Sequence, residues 1–368
     1  MTGSELKERL TDTIALLSIP GIGRGRFRKL VERFGTPAGV LAASRSELES
    51  VSGLSHTIAG AVREGYDGEK ARQAASRIMQ LGWSVLFPKE EGYPPLLSEL
   101  VDRPAVLFRS GDDRQPVEKV VAIVGTRHAT EKGRRFASHL AGELARAGIP
   151  VVSGMAEGID AAAHRGALDA GGRTIAVWGT SLDIVYPPSN GSLAREILQS
   201  GAIYSEYLPG TRPEKTAFPE RNRIISGISE AVVVVEAGAR SGALITARCA
   251  IDQNRELFAV PGAPDAANAE GTNALIKKGA NLLTRVFDIF DHLPRLKGEV
   301  AVKRFQALPD MTETERRMVG FLSDCPVQID QLSRAADLAV PELMGFLLAL
   351  EVKGVVRELS GKRFVLTE

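Results

Sequence analysis

Val120-Val121-Ala122-Ile123-Val124-Gly125-Thr126-Arg127 is a β-branched apolar run that stops on a glycine and gives way to a helical pattern. The same order recurs along the middle of the chain. Apolar runs at 120–124, 150–153, 174–178, 202–205, 232–236 and 257–260 predict strands. The segments 132–147, 158–170, 193–199, 221–229, 244–253 and 272–278 predict helices. Strands that are apolar almost throughout, each followed by a helix, predict a parallel sheet covered on both faces. Shorter extended pieces at 84–87 and 105–109 are expected to extend or cap it. Right-handed crossovers collect the strand ends and helix starts on one rim, where such sheets bind ligands.

The residues on that rim suit an anion. In Gly125-Thr126-Arg127 the glycine permits a sharp turn, the threonine offers a hydroxyl and Arg127 a phosphate-shaped fork. Ser153-Gly154-Met155-Ala156-Glu157-Gly158-Ile159-Asp160 has two glycines four apart, which let the backbone approach a ligand before a helix begins. It matches neither the dinucleotide fingerprint nor a P-loop. Asp160 is expected to cap that helix, and His164 shares its face. Asp160 and His164 form the one acid–base constellation, but no nucleophile is tied to them. The rigid loop from Gly179 through Asp183 to Tyr186-Pro187-Pro188 follows the next strand.

Lys215 and Phe218 then precede Pro219-Glu220-Arg221-Asn222-Arg223, an arginine-rich helix start. A point charge beside an aromatic face suits single-stranded nucleic acid, whose bases stack on such rings. Arg221 and Arg223 lie two apart and point in different directions. One is expected to pair with Glu206 or Glu236 while the other faces ligand. Ser241-Gly242 opens a further helix and promises another anion-ready N-terminus, and Pro261-Gly262 and Gly271-Thr272-Asn273 complete the rim.

Composition narrows the classes. The chain of 368 residues has room for two or three domains. With 46 basic against 45 acidic residues, a nucleic-acid site must be a local concentration of charge. Cys249 and Cys325 lack metal or redox spacing and read as core thiols of a reducing, cytoplasmic compartment. Five scattered histidines predict no metal site, and no segment reads as a secretory signal or membrane span.

The flanks have a different grammar. Residues 1–78 read as short helices with two glycine hairpins, Ile19-Pro20-Gly21-Ile22-Gly23 and Val51-Ser52-Gly53-Leu54-Ser55, resembling the helix-hairpin-helix motif. Gly21, Gly23, Arg24 and Arg26 are a candidate secondary DNA contact there. Residues 294–310 read as a linker. Residues 311–368 read as three helices and a hairpin, a winged helix. Its third helix bears Glu342 and Glu351 and no basic residue before Lys353, which predicts a protein-facing role.

Taken in order from about 80 to 290, these motifs closely resemble the DNA processing protein A family. The match runs through Gly125-Thr126-Arg127, Ser153-Gly154 to His164, Phe218-Pro219-x-Arg221-Asn222-Arg223-Ile224-Ile225, Ser241-Gly242 and Val260-Pro261-Gly262. The resemblance implies a Rossmann-like, mostly parallel α/β core between an N-terminal helical domain, helix-hairpin-helix or SAM-like, and a C-terminal winged helix. It implies a cytoplasmic, homodimeric single-stranded DNA-binding protein of natural transformation that protects incoming DNA and loads the recombinase RecA. No catalytic residue, cofactor or metal is expected. The implied DNA-binding set is Gly125, Thr126, Arg127, Ser153, Gly154, Gly158, Lys215, Phe218, Arg221, Asn222, Arg223, Ser241 and Gly242. Two alternatives stay open. One is an adaptor working through its terminal domains. The other is a nucleotide-binding or nucleotide-hydrolysing enzyme, since the sheet also resembles the lysine-decarboxylase-like phosphoribohydrolases. Their Pro-Gly-Gly-x-Gly-Thr-x-x-Glu carboxylate has no counterpart after Ser241-Gly242.

Overall fold

The computed structural model describes residues 2–111, 118–296, 312–322, 326–353 and 355–366. They fall into two units, Met1–Leu296 and Lys297–Glu368. The expected linker lies, from residue 297 on, outside the described residues, as does Cys325.

The first unit is organised by one nine-stranded sheet. Its strands are β1 (Ser84–Leu86), β2 (Leu107–Gly111), β3 (Val121–Val124), β4 (Val151–Ser153), β5 (Thr174–Val177), β6 (Ala202–Ser205), β7 (Ala231–Val234), β8 (Glu256–Ala259) and β9 (Asn281–Leu282). Their order is β1-β2-β6-β5-β4-β3-β7-β8-β9. All neighbours are parallel except β1 with β2 and β2 with β6. The chain therefore steps from β3 outward to β6, then returns to the far side of β3 to lay down β7 and β8. This reversal places β3 and β7 side by side as the switch point of a doubly wound sheet. The two-residue β9 is an addition to the expected strands, and it carries no apolar run to announce it.

Right-handed crossovers put helices laid down before and after the reversal on opposite faces. Glu131–Arg146, Ile159–Asp169 and Gly191–Ser200 pack in one layer, and Ala217–Ile228 and Ala243–Asp252 in the other. The strands between them are buried throughout (β3, β4, β5, β6 and β7 expose no residue), which is why they read as unbroken apolar runs. Ile224, Ile225, Ile228, Ala243, Ala247 and Ala250 from the second layer share one buried cluster with Val120, Ala122, Val124, Val232 and Val234 of the sheet.

The N-terminal helices Gly3–Ser18, Arg24–Phe34, Pro37–Ala42, Arg45–Glu49, His56–Glu64 and Gly68–Gln80 precede the sheet. Gly21 (φ +88°) and Gly53 (φ +90°) make the two hairpin turns, a backbone region that L side chains avoid. Leu10, Ile14, Ala75 and Ile78 share a cluster with Trp83, Phe87, Val106 and Phe108, so helices Gly3–Ser18 and Gly68–Gln80 pack on the β1–β2 edge. Phe27, Leu30, Leu48, Ala59 and Val62 of the others form a second cluster with Leu16 and Ile19.

In the second unit, helices Glu313–Val319, Ile329–Ala336 and Val340–Val352 accompany the strands β10 (Val327–Gln328), β11 (Val356–Leu359) and β12 (Arg363–Leu366). The strand order is β10-β12-β11, and all pairs are antiparallel. Leu332, Leu343, Leu347, Leu350 and Phe364 build its core. This is the expected winged-helix arrangement.

The helix layer on the β4 side depends on close approach. A Cβ on Gly166 would lie 2.0 Å from the Ser138 carbonyl oxygen, whereas one on Gly142 would meet nothing nearer than 3.4 Å. Gly166→Ala is expected to cost about 1–3 kcal/mol, because the atom it meets is backbone and cannot move aside. Gly142→Ala is expected to be neutral or stabilising by up to ~1 kcal/mol, as helix propensity favours alanine. Urea denaturation of the two variants checks the contrast.

Candidate nucleic-acid interface

The turn after β3, the loop after β4, the start of helix Ala217–Ile228 and the start of helix Ala243–Asp252 surround a cleft of about 550 Å³. Thr126, Arg127, Asp160, Tyr186, Lys215, Phe218, Arg221, Asn222, Ser241 and Gly242 line it. The geometry thus brings together most of the residues singled out from sequence.

Arg127 and Lys215 are exposed, and neither has a carboxylate partner among the described residues. The Arg127 guanidinium lies 5.5 Å from the centre of the Phe218 ring. That ring is 5.2 Å from Tyr186, tilted by 31°. Phe218 is half-buried, and Gly179 leaves room for it: a Cβ there would come within 2.9 Å of the ring. Sequence marks Tyr186 only as part of a rigid loop. Its pairing with an aromatic 32 positions away leaves no local signal.

Helix Ala217–Ile228 begins four residues before the expected start. Pro219 is tolerated because first-turn N–H groups lack intrahelical partners in any case. Arg221 and Arg223 consequently sit in the second turn, and both are buried. Arg223 donates to Glu206 at 2.5 Å, fulfilling one half of the expected division. Arg221 lines the cleft but is only 4% exposed. Its Nη1 donates to the carbonyls of Gly154 (2.6 Å) and Val177. Burial, opposed by Asp160 and reinforced by Arg127, lowers its pKa to about 10, so it stays charged at neutral pH.

Asp160 does not cap its own helix. Its Oδ2 accepts from the N–H groups of Gly154 (3.1 Å) and Ala156 (3.4 Å), tying the loop into a ring. Burial raises its pKa against the pull of Arg221. Gly158, at φ +82°, passes so close to the first turn that a Cβ would lie 2.3 Å from the Thr126 oxygen. Ser153 faces inward, its hydroxyl donating to the Ile123 carbonyl at 2.6 Å.

Many rim amides already have partners. Thr126 N–H donates to the Glu236 carbonyl, Ile159 N–H to the Thr126 carbonyl, and Leu244 and Ile245 N–H to the carbonyls of Ser241 and Gly242. Ala243 N–H reaches the Ser241 hydroxyl at 3.3 Å. The start of helix Ala243–Asp252 is therefore less open to an anion than its sequence promises. Attraction falls instead to three side-chain cations, two exposed and one buried. Asn222 donates to the Gly242 carbonyl at 3.4 Å and links the two helix starts.

His164 is fully buried. Thr174 donates its hydroxyl to the Val151 carbonyl, so it receives the proton of His164 Nδ1 at 2.7 Å. The ring is therefore oriented by Thr174 and not by Asp160. In the N-terminal helices, Arg26 donates to the carbonyls of Gly21 (2.7 Å) and Gly53 (3.1 Å), bridging the hairpins. Arg24 turns toward Glu206 and Glu220. Among the described residues, no cluster of three or more His, Cys, Asp or Glu is arranged to hold a metal. No described helix is long and apolar enough to cross a membrane.

The family model described as DNA recombination-mediator protein A matches residues 84–294. The DprA winged helix domain matches 303–362, and a SAM-like helix-hairpin-helix tandem matches 13–65. Protein Smf of Synechocystis is 33% identical, over 95% of this chain and 97% of its own length. Protein Smf of Escherichia coli is 37% identical, over 75% of this chain and 76% of its own. The X-ray structure of DNA processing protein A from Streptococcus pneumoniae matches with a TM-score of 0.67 at 33% identity, covering 76% of this chain and 97% of that one. That of Helicobacter pylori, a study of its single-stranded DNA binding mode, matches with a TM-score of 0.52 at 33% identity, covering 59% of this chain and 97% of that one.

The buried histidine gives a pH signature. Burial, with the Arg221 charge second, lowers the His164 pKa to about 3. An unfolded histidine titrates near ~6.5. As pH falls below that value, the unfolded chain gains a proton that the folded chain refuses. Stability present above ~6.5 is then lost toward pH 3, at up to ~1.4 kcal/mol per unit. Asp160 works in the opposite sense, since its folded pKa is raised. Urea stability measured against pH should fall more steeply for the wild type than for His164→Gln. Parallel curves would show that His164 is not buried in its neutral form.

Proposed function

Because the chain belongs to the DNA recombination-mediator protein A family, we propose that it binds single-stranded DNA in the cleft at the β3–β7 switch point. The observation that carries this reading is the grouping of Arg127 and Lys215 around the Phe218–Tyr186 pair, above the buried charge of Arg221. Cations hold phosphates and aromatic rings hold bases, and neither reads sequence. The DNA-binding set proposed is Gly125, Thr126, Arg127, Ser153, Gly154, Gly158, Lys215, Phe218, Arg221, Asn222, Arg223, Ser241 and Gly242. Ser153, Gly154, Arg221 and Arg223 serve by shaping the cleft from within.

In this reading the protein acts in the cytoplasm as a homodimer, covers incoming DNA during natural transformation and passes it to RecA. Residues 1–78, 79–293 and 311–368, with a linker at 294–310, are its working segments. The Helicobacter pylori relative supports the choice of ligand. The nucleotide-cleaving alternative is not favoured, because His164 is enclosed and oriented by Thr174.

Arg127→Ala and Lys215→Ala are each expected to weaken oligo-dT binding roughly tenfold, about 1.4 kcal/mol. Each should also reduce the slope of log affinity against log salt by ~0.7. Phe218→Leu should cost ~1–3 kcal/mol and leave that slope unchanged. Fluorescence anisotropy at several salt concentrations measures all three. Wild-type affinity in either alanine variant would remove the cleft assignment.

A further inference from the structure

The helix that carries Phe218 and Arg221 is held from outside by a residue of the N-terminal helices. Arg24 donates to both carboxylate oxygens of Glu206, from Nε at 3.3 Å and Nη2 at 3.2 Å. Its Nη2 also reaches Glu220 at 2.6 Å. Glu206 keeps only 11% of its side chain exposed, and its Oε2, which accepts from Arg24 Nε, also accepts from Arg223. Glu220 and Arg223 are three apart on helix Ala217–Ile228, so Arg24 and Glu206 clasp its first two turns together.

That first turn is held at its start by the Tyr207 hydroxyl, which donates to the Ala217 carbonyl at 3.3 Å, and by Ala217 N–H on the Glu214 carbonyl. Thr216 provides no side-chain cap, and Pro219 has no N–H to donate. Phe218 lies in this turn, and its contacts with Tyr186 and Arg127 require the turn to be in place.

We infer that Arg24 is a positioning residue for the cleft: it fixes the first turn of helix Ala217–Ile228, and with it Phe218, without touching DNA. The inference rests on the reading of the cleft as a single-stranded DNA site. It differs from the sequence expectation, in which Arg24 contacts phosphate directly from the first hairpin. It also assigns the N-terminal helices a part in binding at the rim.

The two roles give opposite results at Glu220. Removing a carboxylate near an anion site should tighten binding if charge alone matters. If Glu220 is the handle by which Arg24 holds the turn, Glu220→Ala should weaken it. Oligo-dT titrations should show Arg24→Ala and Glu220→Ala each about two- to fivefold weaker than wild type. The double variant should be no weaker than the worse single, because both break one clasp. The salt slope should not change, and Arg24→Lys should recover part of the loss. Thermal melts confirm that each variant is folded.

Tighter or unchanged binding by Glu220→Ala overturns the inference. So does a fall of ~0.7 in the salt slope of Arg24→Ala, which marks a direct phosphate contact. Failure of the cleft reading is distinct: the wild type would not bind, or Arg127→Ala and Lys215→Ala would have no effect.

Discussion

The buried guanidinium of Arg221 is the interaction on which the rim depends. It reaches the carbonyl of Gly154 in the loop after β4 and that of Val177 at the end of β5, beside the Asp160 carboxylate. One side chain thus joins two strand ends to the helix that carries it. Taking such a charge out of water costs several kcal/mol unless partners compensate. The compensation here comes from fixed carbonyl dipoles and Asp160, while Asp160 in turn holds the amides of Gly154 and Ala156. The loop, the strand ends and the helix start are therefore one electrostatic unit.

This unit decides what kind of ligand the cleft can hold. In a P-loop, unpaired backbone amides enclose one phosphate at fixed geometry. Here several rim amides are bound to neighbouring oxygens, and Arg127 and Lys215 project on long, flexible stems. Such side chains can follow successive phosphates of a chain whose bases vary. Phe218 and Tyr186 add flat apolar surface, which every base can use. A polymer without fixed sequence suits this arrangement better than a single nucleotide does.

The sheet is legible in the sequence because burial on both faces forces its strands to be apolar throughout. A run such as Ala231-Val232-Val233-Val234 needs no partner to be recognised. The two-residue β9 has no such pattern and leaves nothing to see. The start of helix Ala217–Ile228 is misplaced from sequence because Pro219 reads as a break, although the first turn accepts it. Residue types at the cleft are legible; their directions are not. Ser153 turns inward to a neighbouring strand, and Arg24 finds Glu206 at a separation of 182 positions. Pairings of that range are created by the fold and leave no local trace.

The Arg24 contact also changes how the N-terminal helices relate to the cleft. A helical module joined by a short connection could bind nucleic acid on its own account. Two of these helices, Gly3–Ser18 and Gly68–Gln80, instead share a hydrophobic cluster with Trp83 and Phe108 at the β1–β2 edge. Phe27 and Leu30 of the helix that carries Arg24 pack with Leu16 and Ile19 in a second cluster. Beyond that apolar seam, Arg24 meets the sheet side of the molecule at Glu206, and Glu206 meets Arg223, about one and a half helical turns from Phe218. Apolar packing fixes where the helices sit, and the ion pairs carry that placement to the aromatic ring. The first hairpin is thereby tied to the cleft through two carboxylates, Glu206 and Glu220.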